Sequence, residues 1–386
     1  MPYPPYRGDK LKIFNLGKSL RDKHEIHLIT VAENKSDIEA VPHLETVFHK
    51  IDYVYLPTWK SKVNVLKAIF SSTPFQIAYF KSAAFSKLLK DELEKNSYDA
   101  IHVQHLRMAQ FIPDNIKKSS ILDLPDAFSL YWKRRFESST NYLTKIFNKI
   151  EYKRLDNFEK TTIPQYPKAL VCSREDQRYL GAIPNSQVDL LQNGVDIHTF
   201  KPKEISFEKF RVLFTGNMDY APNIDAVNYF VRDILPTIKQ AIPQVQFIIA
   251  GQRPVSKVLQ LANDHVKVTG FIEDLSEEYA KAHVVVSPLR IGAGTQNKVL
   301  EALSMNIPVV TTWVGYEGLE LPLNIGALPS KDASEFADNV IKILRDENYR
   351  NEVGQKGGDL IRSKFSWEAI ATKLEAYLKE VQSSRD

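Results

Sequence analysis

An α/β protein with parallel sheets wrapped by helices is the fold class this sequence predicts, and three observations predict it. Short apolar runs alternate with amphipathic stretches along the whole chain, as they do in βαβ units. Several runs, such as HVVVSPL and IPVVTT, are apolar at consecutive positions, which suits strands covered on both faces. The 386 residues are enough for two such domains with full cores.

The elements follow in order. The chain opens on the loop PYPPYRGDK and a helix, LKIFNLGKSLRDK. Strands are expected at 24–31, 50–56, 99–105, 119–124, 168–173 and 188–194, then at 211–217, 245–251, 266–270, 283–289, 307–312 and 326–330. Each is a short apolar run bounded by turn formers or by an amphipathic stretch. HTFKPKEISFEKF (198–210) has no periodicity and reads as the linker between domains, and WEAIATKLEAYLKEVQ reads as a closing amphipathic helix. The expected division is 1–200, 201–365 and a terminal helix in 366–386. A Rossmann-like domain normally opens with a central apolar strand, yet none precedes the first loop. The expectation is a truncated start, with about six apolar residues of a short strand encoded upstream of Met1.

Composition bounds the function. Hydrophobic content of 43% and charged content of 25% are those of an ordinary globular protein. No run approaches a membrane span and no secretory leader precedes the first helix, so a cytoplasmic location is expected. Cys172 is the one cysteine, set in the apolar run ALVCS, and reads as a buried structural thiol. The nine histidines form no metal-spaced set beyond the His102/His105 pair, so no metal site is expected. Residues 1–200 carry 29 Lys and Arg against 23 Asp and Glu. From Tyr53 to Lys90 there are six lysines and no acid, interleaved with aromatics; from Lys133 to Lys160 there are eight basic and four acidic residues. Such stretches suit an anionic membrane surface; the competing reading is a solvated lysine face over an aromatic core. No nucleic-acid-binding module accompanies the charge, so nucleic acid is not expected as a partner.

The stretch from Ser287 to Thr312 carries the most chemistry. A buried strand ends in Arg290 and the small-residue loop Gly292-Ala293-Gly294, and Thr295 opens the helix through NKVLEALSM. Strand, glycine loop and helix leave backbone N–H groups free at a helix N-terminus, where anions bind. Arg290 and Lys298 add positive charge, and Glu301 lies three residues beyond Lys298 on the same helix face. Cations for phosphate beside a carboxylate for ribose hydroxyls describe a nucleotide-diphosphate site. A glycine-rich turn that serves packing alone is the plainer alternative.

PLRIGAGTQNKVLEALSMNIPVVTT resembles the donor-nucleotide segment of family-4 retaining glycosyltransferases, and the likeness extends over most of the chain. It continues in YPPYRGDK, QNGVD (192–196), TGNMDYAPNIDA (215–226), AGQRP (250–254), VTGFIEDL (268–275), GYEGL (315–319) and FSW (365–367). The resemblance implies two facing Rossmann-like domains of the GT-B type with a cleft between them, and a terminal helix that crosses back to the first domain. It also implies a missing first strand, because relatives carry one before the opening loop.

By that resemblance Arg290, Lys298 and the N–H groups of Gly292, Gly294 and Thr295 hold the donor diphosphate, and Glu301 binds its ribose. Ala293 stands where the family's other glutamate would be, so sugar contacts must come from elsewhere. TGNMDYAPNIDA, with Gly216, offers neither the Arg nor the Lys of many relatives; Arg253 is the candidate replacement, with a structural salt bridge as its alternative. Gly8 can let the backbone approach the donor, unless it only starts a helix with Asp9 as cap. Asn193 is expected at an interdomain turn beside the donor. Asp126, then His105 and Asp123, are the candidates for orienting or deprotonating an acceptor hydroxyl.

The resulting expectation is a metal-independent retaining glycosyltransferase, with a nucleotide-diphosphate sugar as donor and no further cofactor. The acceptor is expected to be a glycan or polyprenyl-linked, with peripheral contact to an anionic inner membrane face. A nucleotide-sugar 2-epimerase and a catalytically silent nucleotide-sugar-binding subunit are the alternatives.

Overall fold

A computed structural model of the chain describes residues 1–5, 8–203, 210–291, 296–318 and 321–383. The chain divides into two compact units, Met1–Asn193 with Ile370–Asp386, and Gly194–Ala369. The helix Trp367–Ser383 spans the boundary. The division falls upstream of the aperiodic 198–210 segment. Val195 belongs to the core of the second unit, with Ile197 and Phe200 packed against it, because apolar side chains there find partners that periodicity does not reveal.

The described residues of the first unit form six strands: β1 (His27–Ala32), β2 (Lys50–Tyr55), β3 (Ile101–Gln104), β4 (Ser120–Leu124), β5 (Lys168–Val171) and β6 (Val188–Leu190). β1 pairs with β2, and β3-β4-β5-β6 form a second sheet, all parallel. Among the described residues no strand precedes the helix Gly8–Leu20 and none joins the two sheets. β4 and β5 are buried at every position, as parallel strands with both faces covered must be. The long helix Tyr142–Thr162 ties the unit together through its buried second half. Its Glu151 accepts from the N–H groups of Phe75 and Gln76, and Glu159 accepts from that of Ser129. Each carboxylate thus satisfies free donors at the start of another helix.

The described residues of the second unit form one parallel sheet of β7 (Arg211–Thr215), β8 (Gln246–Ala250), β9 (Val266–Gly270), β10 (Val284–Ser287), β11 (Val309–Thr312) and β12 (Ala327–Ser330), in the order β12-β11-β10-β7-β8-β9. The first strand in sequence sits at the centre, and the chain winds outward on each side of it. This is the doubly wound Rossmann order, which puts a topological switch point between β7 and β10. Val212 and Phe214 of β7 pack into one core with Phe230 and Phe247, whereas Leu213 packs into the other with Leu300 and Leu303. Both faces of β7 are therefore apolar. Two glycines let the ends of β7 and β8 approach closely: a Cβ on Gly251 would lie 1.7 Å from the Gly216 carbonyl oxygen.

Candidate functional site

In doubly wound sheets ligands bind beyond the carboxyl ends of the strands at the switch point. In the second unit the loop after β7 and the loop after β10 meet that description. The first leads into the helix Ala221–Tyr229 and the second into the helix Asn297–Ser304. Gly292, Ala293, Gly294 and Thr295 lie outside the described residues.

Lys298 lies in the first turn of the helix Asn297–Ser304 and is buried. Its Nζ donates to Asn223 Oδ1 at 3.1 Å and sits 3.8 Å from the centroid of the Phe214 ring. Among the described residues it makes no ion pair. Burial drives its pKa down to about 7, against the pull of the nearby Glu301 charge. Glu301, half-buried, accepts from the Tyr279 hydroxyl at 2.8 Å. Burial raises the Glu301 carboxyl, opposed by that hydrogen bond and by Lys298. The same Tyr279 hydroxyl meets Thr215 Oγ1 at 2.7 Å and the Lys298 carbonyl at 3.3 Å. One buried tyrosine thus ties the end of β7 to the start of the helix that carries Lys298 and Glu301.

Arg290 has a different environment. Its Nε and Nη2 donate to the two oxygens of Asp225 at 3.0 and 2.5 Å, and its guanidinium lies over the Tyr229 ring at 4.6 Å. It lines an open cavity of 570 Å³ with Tyr229, Arg232 and Lys257. Arg253 is exposed, has a left-handed backbone (φ 57°) and reaches Asp219 at 3.5 Å. Asn223 and Asp225 were not singled out from the sequence. They lie 75 and 65 residues from the cations they hold, and the only available signal was their place in NIDA, directly after the switch-point loop.

In the first unit the strand ends gather a second group. His105 is buried and has a left-handed backbone (φ 85°). Its N–H donates to the Asp123 carbonyl at 2.8 Å, and its Nε2 contacts Arg107 Nη2 at 2.7 Å and Asp9 Oδ2 at 3.6 Å. Asp126 is exposed on the loop after β4. Partial desolvation, then the neighbouring Asp176 and Asp9 charges, push its carboxyl up to about 6. Gly8 begins the first helix, with Asp9 inside the first turn rather than at the cap. Among the described residues a Cβ on Gly8 would meet only Asn193 Nδ2, at 3.8 Å, an ordinary contact that does not require the glycine. Asn193 is buried, with Oδ1 3.8 Å from Cys172 Sγ. Cys172 is buried, and desolvation lifts its thiol to about 12, which fits a structural role.

Asp123 is a correction. The sequence reading placed it facing an acceptor, but it is fully buried and paired to Lys12 Nζ at 2.8 Å and to His102 Nε2 at 3.0 Å. Burial opposes its ionisation, yet Lys12 and His102 outweigh burial and hold its carboxyl below the usual range. Lys12 itself is 1% exposed, although its place in a polar opening helix reads as surface. A larger cavity of 720 Å³ beside Lys118, Tyr166 and Gln187 lies at the opposite, amino-terminal ends of β4 to β6. Among the described residues, three potential metal-ligand atoms converge at His27, Asp52 and Glu92. There Lys50 already bridges both carboxylates, at 3.1 and 2.7 Å.

Comparison with known proteins assigns the second unit. Residues 209–346 match the family described as "Glycosyl transferases group 1". They form a group 1 glycosyltransferase domain. The chain is also 24% identical to an uncharacterized glycosyltransferase of Methanocaldococcus jannaschii, over 96% of this chain and 94% of that one. It is 20% identical to an uncharacterized 44.6 kDa protein in the cps region of Klebsiella pneumoniae, over 97% and 96%. In fold it is similar to the Anabaena HepE protein crystallised with UDP and glucose, with a TM-score of 0.64 at 13% identity, covering 97% and 96% of the two chains. The chain is thus a nucleotide-sugar glycosyltransferase of the GT-B fold.

Proposed function

We propose that this glycosyltransferase is retaining and metal-independent, and that Lys298 supplies the countercharge for the donor diphosphate. The observation that carries the reading is Lys298 itself: a buried amine held by Asn223 and the Phe214 ring, without an ion pair among the described residues. Burying an uncompensated ammonium is costly, and an arriving diphosphate removes that cost. Charge that builds on the leaving phosphate then meets a cation already in place. Arg290, oriented by Asp225 and Tyr229, adds a second cation. Glu301 has one oxygen engaged by Tyr279 and the other for a ribose hydroxyl. The backbone of Gly292, Gly294 and Thr295 completes the anion cradle in this reading. Gly216 and Arg253, both in the second unit, border the donor in this reading.

On the acceptor side Asp126 is the first candidate, because a carboxyl near 6 can orient a hydroxyl and share its proton close to neutral pH. His105, fixed by its backbone bond to Asp123, is the second. In a retaining reaction the departing phosphate itself can take the acceptor proton, so these groups chiefly orient. The acceptor is a glycan, and we read it as lipid-linked, within cell-surface polysaccharide synthesis at the cytoplasmic membrane face. The cps-region relative and the basic–aromatic surface of the first unit support this part.

The test is a panel of nucleotide sugars assayed for nucleoside-diphosphate release with EDTA present, and the product's anomeric configuration read by NMR. Release that survives EDTA and is lost in Lys298→Ala, with retention at the anomeric carbon, is the expected result. Inversion, dependence on metal, or full activity of Lys298→Ala would each overturn the corresponding part.

A further inference from the structure

The two basic–aromatic stretches of the first unit fold into one surface. The helix Thr58–Ala68 carries Trp59, Val63 and Leu66, and Ile69 and Phe70 extend the line beyond its end. All five are exposed, Phe70 at 94% and Trp59 at 63%. Their spacing is that of a single helical face, but this apolar face points to solvent while Ser61 and Ala68 are the buried positions. Lys60, Lys62 and Lys67 flank it, and no Asp or Glu occurs between Tyr53 and Lys90.

The helix Tyr142–Thr162 adds a second strip. Its anchored half is buried through Glu151, Leu155 and Glu159. Its first half exposes Tyr142 at 75% and Leu143 at 77%, with Ile146, Phe147 and Ile150 also exposed and Lys145 and Lys149 beside them. The two strips adjoin. Arg154 donates to the carbonyls of Ala68 and Ile69 at 2.9 and 3.2 Å, and Phe147 stacks on Phe75 at 5.3 Å.

Apolar strips of this extent mark an interaction surface, and the lysines beside them specify an apolar partner that is negatively charged at its edge. Among the described residues no helix is long and apolar enough to cross a membrane. We propose that the outer faces of these two helices form an interfacial docking surface for a bilayer containing anionic lipid. Apolar side chains enter the acyl boundary and lysines meet the headgroups. This names the surface for the membrane contact proposed above, and its test needs no substrate.

The experiment uses the full chain with vesicles of phosphatidylcholine alone and of phosphatidylcholine with phosphatidylglycerol. Wild type should sediment with the anionic vesicles, less so as salt rises, and brominated lipid should quench its tryptophan fluorescence. Trp59→Phe should remove most of that quenching. Lys60→Gln/Lys62→Gln/Lys67→Gln should weaken binding by about a hundredfold, and Phe70→Ser/Leu143→Ser should abolish insertion. Both multiple variants change exposed side chains, so they should keep the wild-type melting temperature and the wild-type rate of nucleoside-diphosphate release without membranes. Equal binding to both vesicle types, wild-type binding by both variants, or a self-associated wild type that Phe70→Ser/Leu143→Ser turns into a monomer would overturn the proposal. Vesicle binding that holds while no donor is cleaved would count against the transferase reading and leave this one standing.

Discussion

Lys298 Nζ and Asn223 Oδ1 meet at 3.1 Å, joining the helix after β10 to the helix after β7 across the switch point of the second unit's sheet. Asn223 is itself held, because its Nδ2 donates to the Asn217 carbonyl at 3.0 Å. The amide therefore presents its oxygen, not its nitrogen, to the lysine. The result is an amine aimed by a neutral partner, free to carry its full charge toward an anionic ligand. An aspartate at 223 would pair with the lysine and compete with phosphate.

Removing the amine while keeping its stem tests that arrangement. Lys298→Met should lower turnover by about 10²–10³-fold, the usual effect of deleting one preorganised electrostatic group. Its melting temperature should hold or rise, since a poorly compensated buried charge is gone. Asn223→Asp should weaken nucleoside-diphosphate binding while leaving the fold intact. Equal turnover in all three proteins would remove Lys298 from the site.

The same amine should make stability and binding depend on pH in a defined direction. Its pKa is about 7 in the folded chain against an ordinary value of 10.5. Between those values the unfolded chain holds the extra proton, so stability rises with pH across that window; below 7 the full cost of burying the charge is present. The melting-temperature difference between Lys298→Met and wild type should therefore shrink as pH rises from about 7 towards 10. Diphosphate binding at about pH 8 should take up close to one proton in wild type and none in Lys298→Met. Calorimetry in two buffers of different ionisation enthalpy measures this, and identical heats after buffer correction would sink the idea.

The strands were legible as short apolar runs, most plainly where both faces are buried, as in β4, β5, β7 and β10, and β7 shows why: Val212 and Phe214 serve one core and Leu213 the other. In the segment after β10, Arg290, Lys298 and Glu301 stood out as candidates from their residue types alone, and the structure places Lys298 and Glu301 on one helix beside Tyr279. What the sequence hid are partnerships across long separations. Beyond their place in NIDA after the switch-point loop, nothing local distinguishes Asn223 or Asp225 from ordinary helix residues. Lys12 reads as a solvated lysine because the buried Asp123 that neutralises it is 111 residues away. The exposed face of the helix Thr58–Ala68 was hidden for a related reason. Its apolar spacing is that of any core-facing helix, and only the packed structure tells which way the face points.

Asp225 should matter to transfer without touching the donor. It holds the Arg290 fork through two hydrogen bonds, and a half-exposed ion pair of this kind adds little stability. Asp225→Ala should leave the melting temperature within a degree or two of wild type by this argument. A guanidinium freed to wander should nonetheless cost up to about 10²-fold in turnover, and Arg290→Lys should resemble it because an ammonium cannot form the bidentate pair. Full activity in Asp225→Ala would mean that Arg290 works in another orientation or not at all.

The Lys12–Asp123 pair should behave as a buried charge pair whose members fail singly and can be replaced together. Lys12 is 1% exposed and Asp123 is fully buried, with Lys12 Nζ also 3.6 Å from Cys172 Sγ. Asp123→Ala strands an ammonium among β4, β5 and the first helix, and Lys12→Met strands a carboxylate beside His102. Each should lower the unfolding free energy by about 3–5 kcal/mol, a large share of the 5–15 kcal/mol typical of a domain. Lys12→Met/Asp123→Leu removes both charges and fills similar volume, so it should return close to wild type, as replaced buried pairs often do. His102 is partly exposed and can pass its hydrogen bond to water. Urea unfolding of the three variants gives the cycle directly. A double variant as unstable as the worse single one would show that the pair is needed for more than mutual neutralisation, and unaltered single variants would show that it holds nothing.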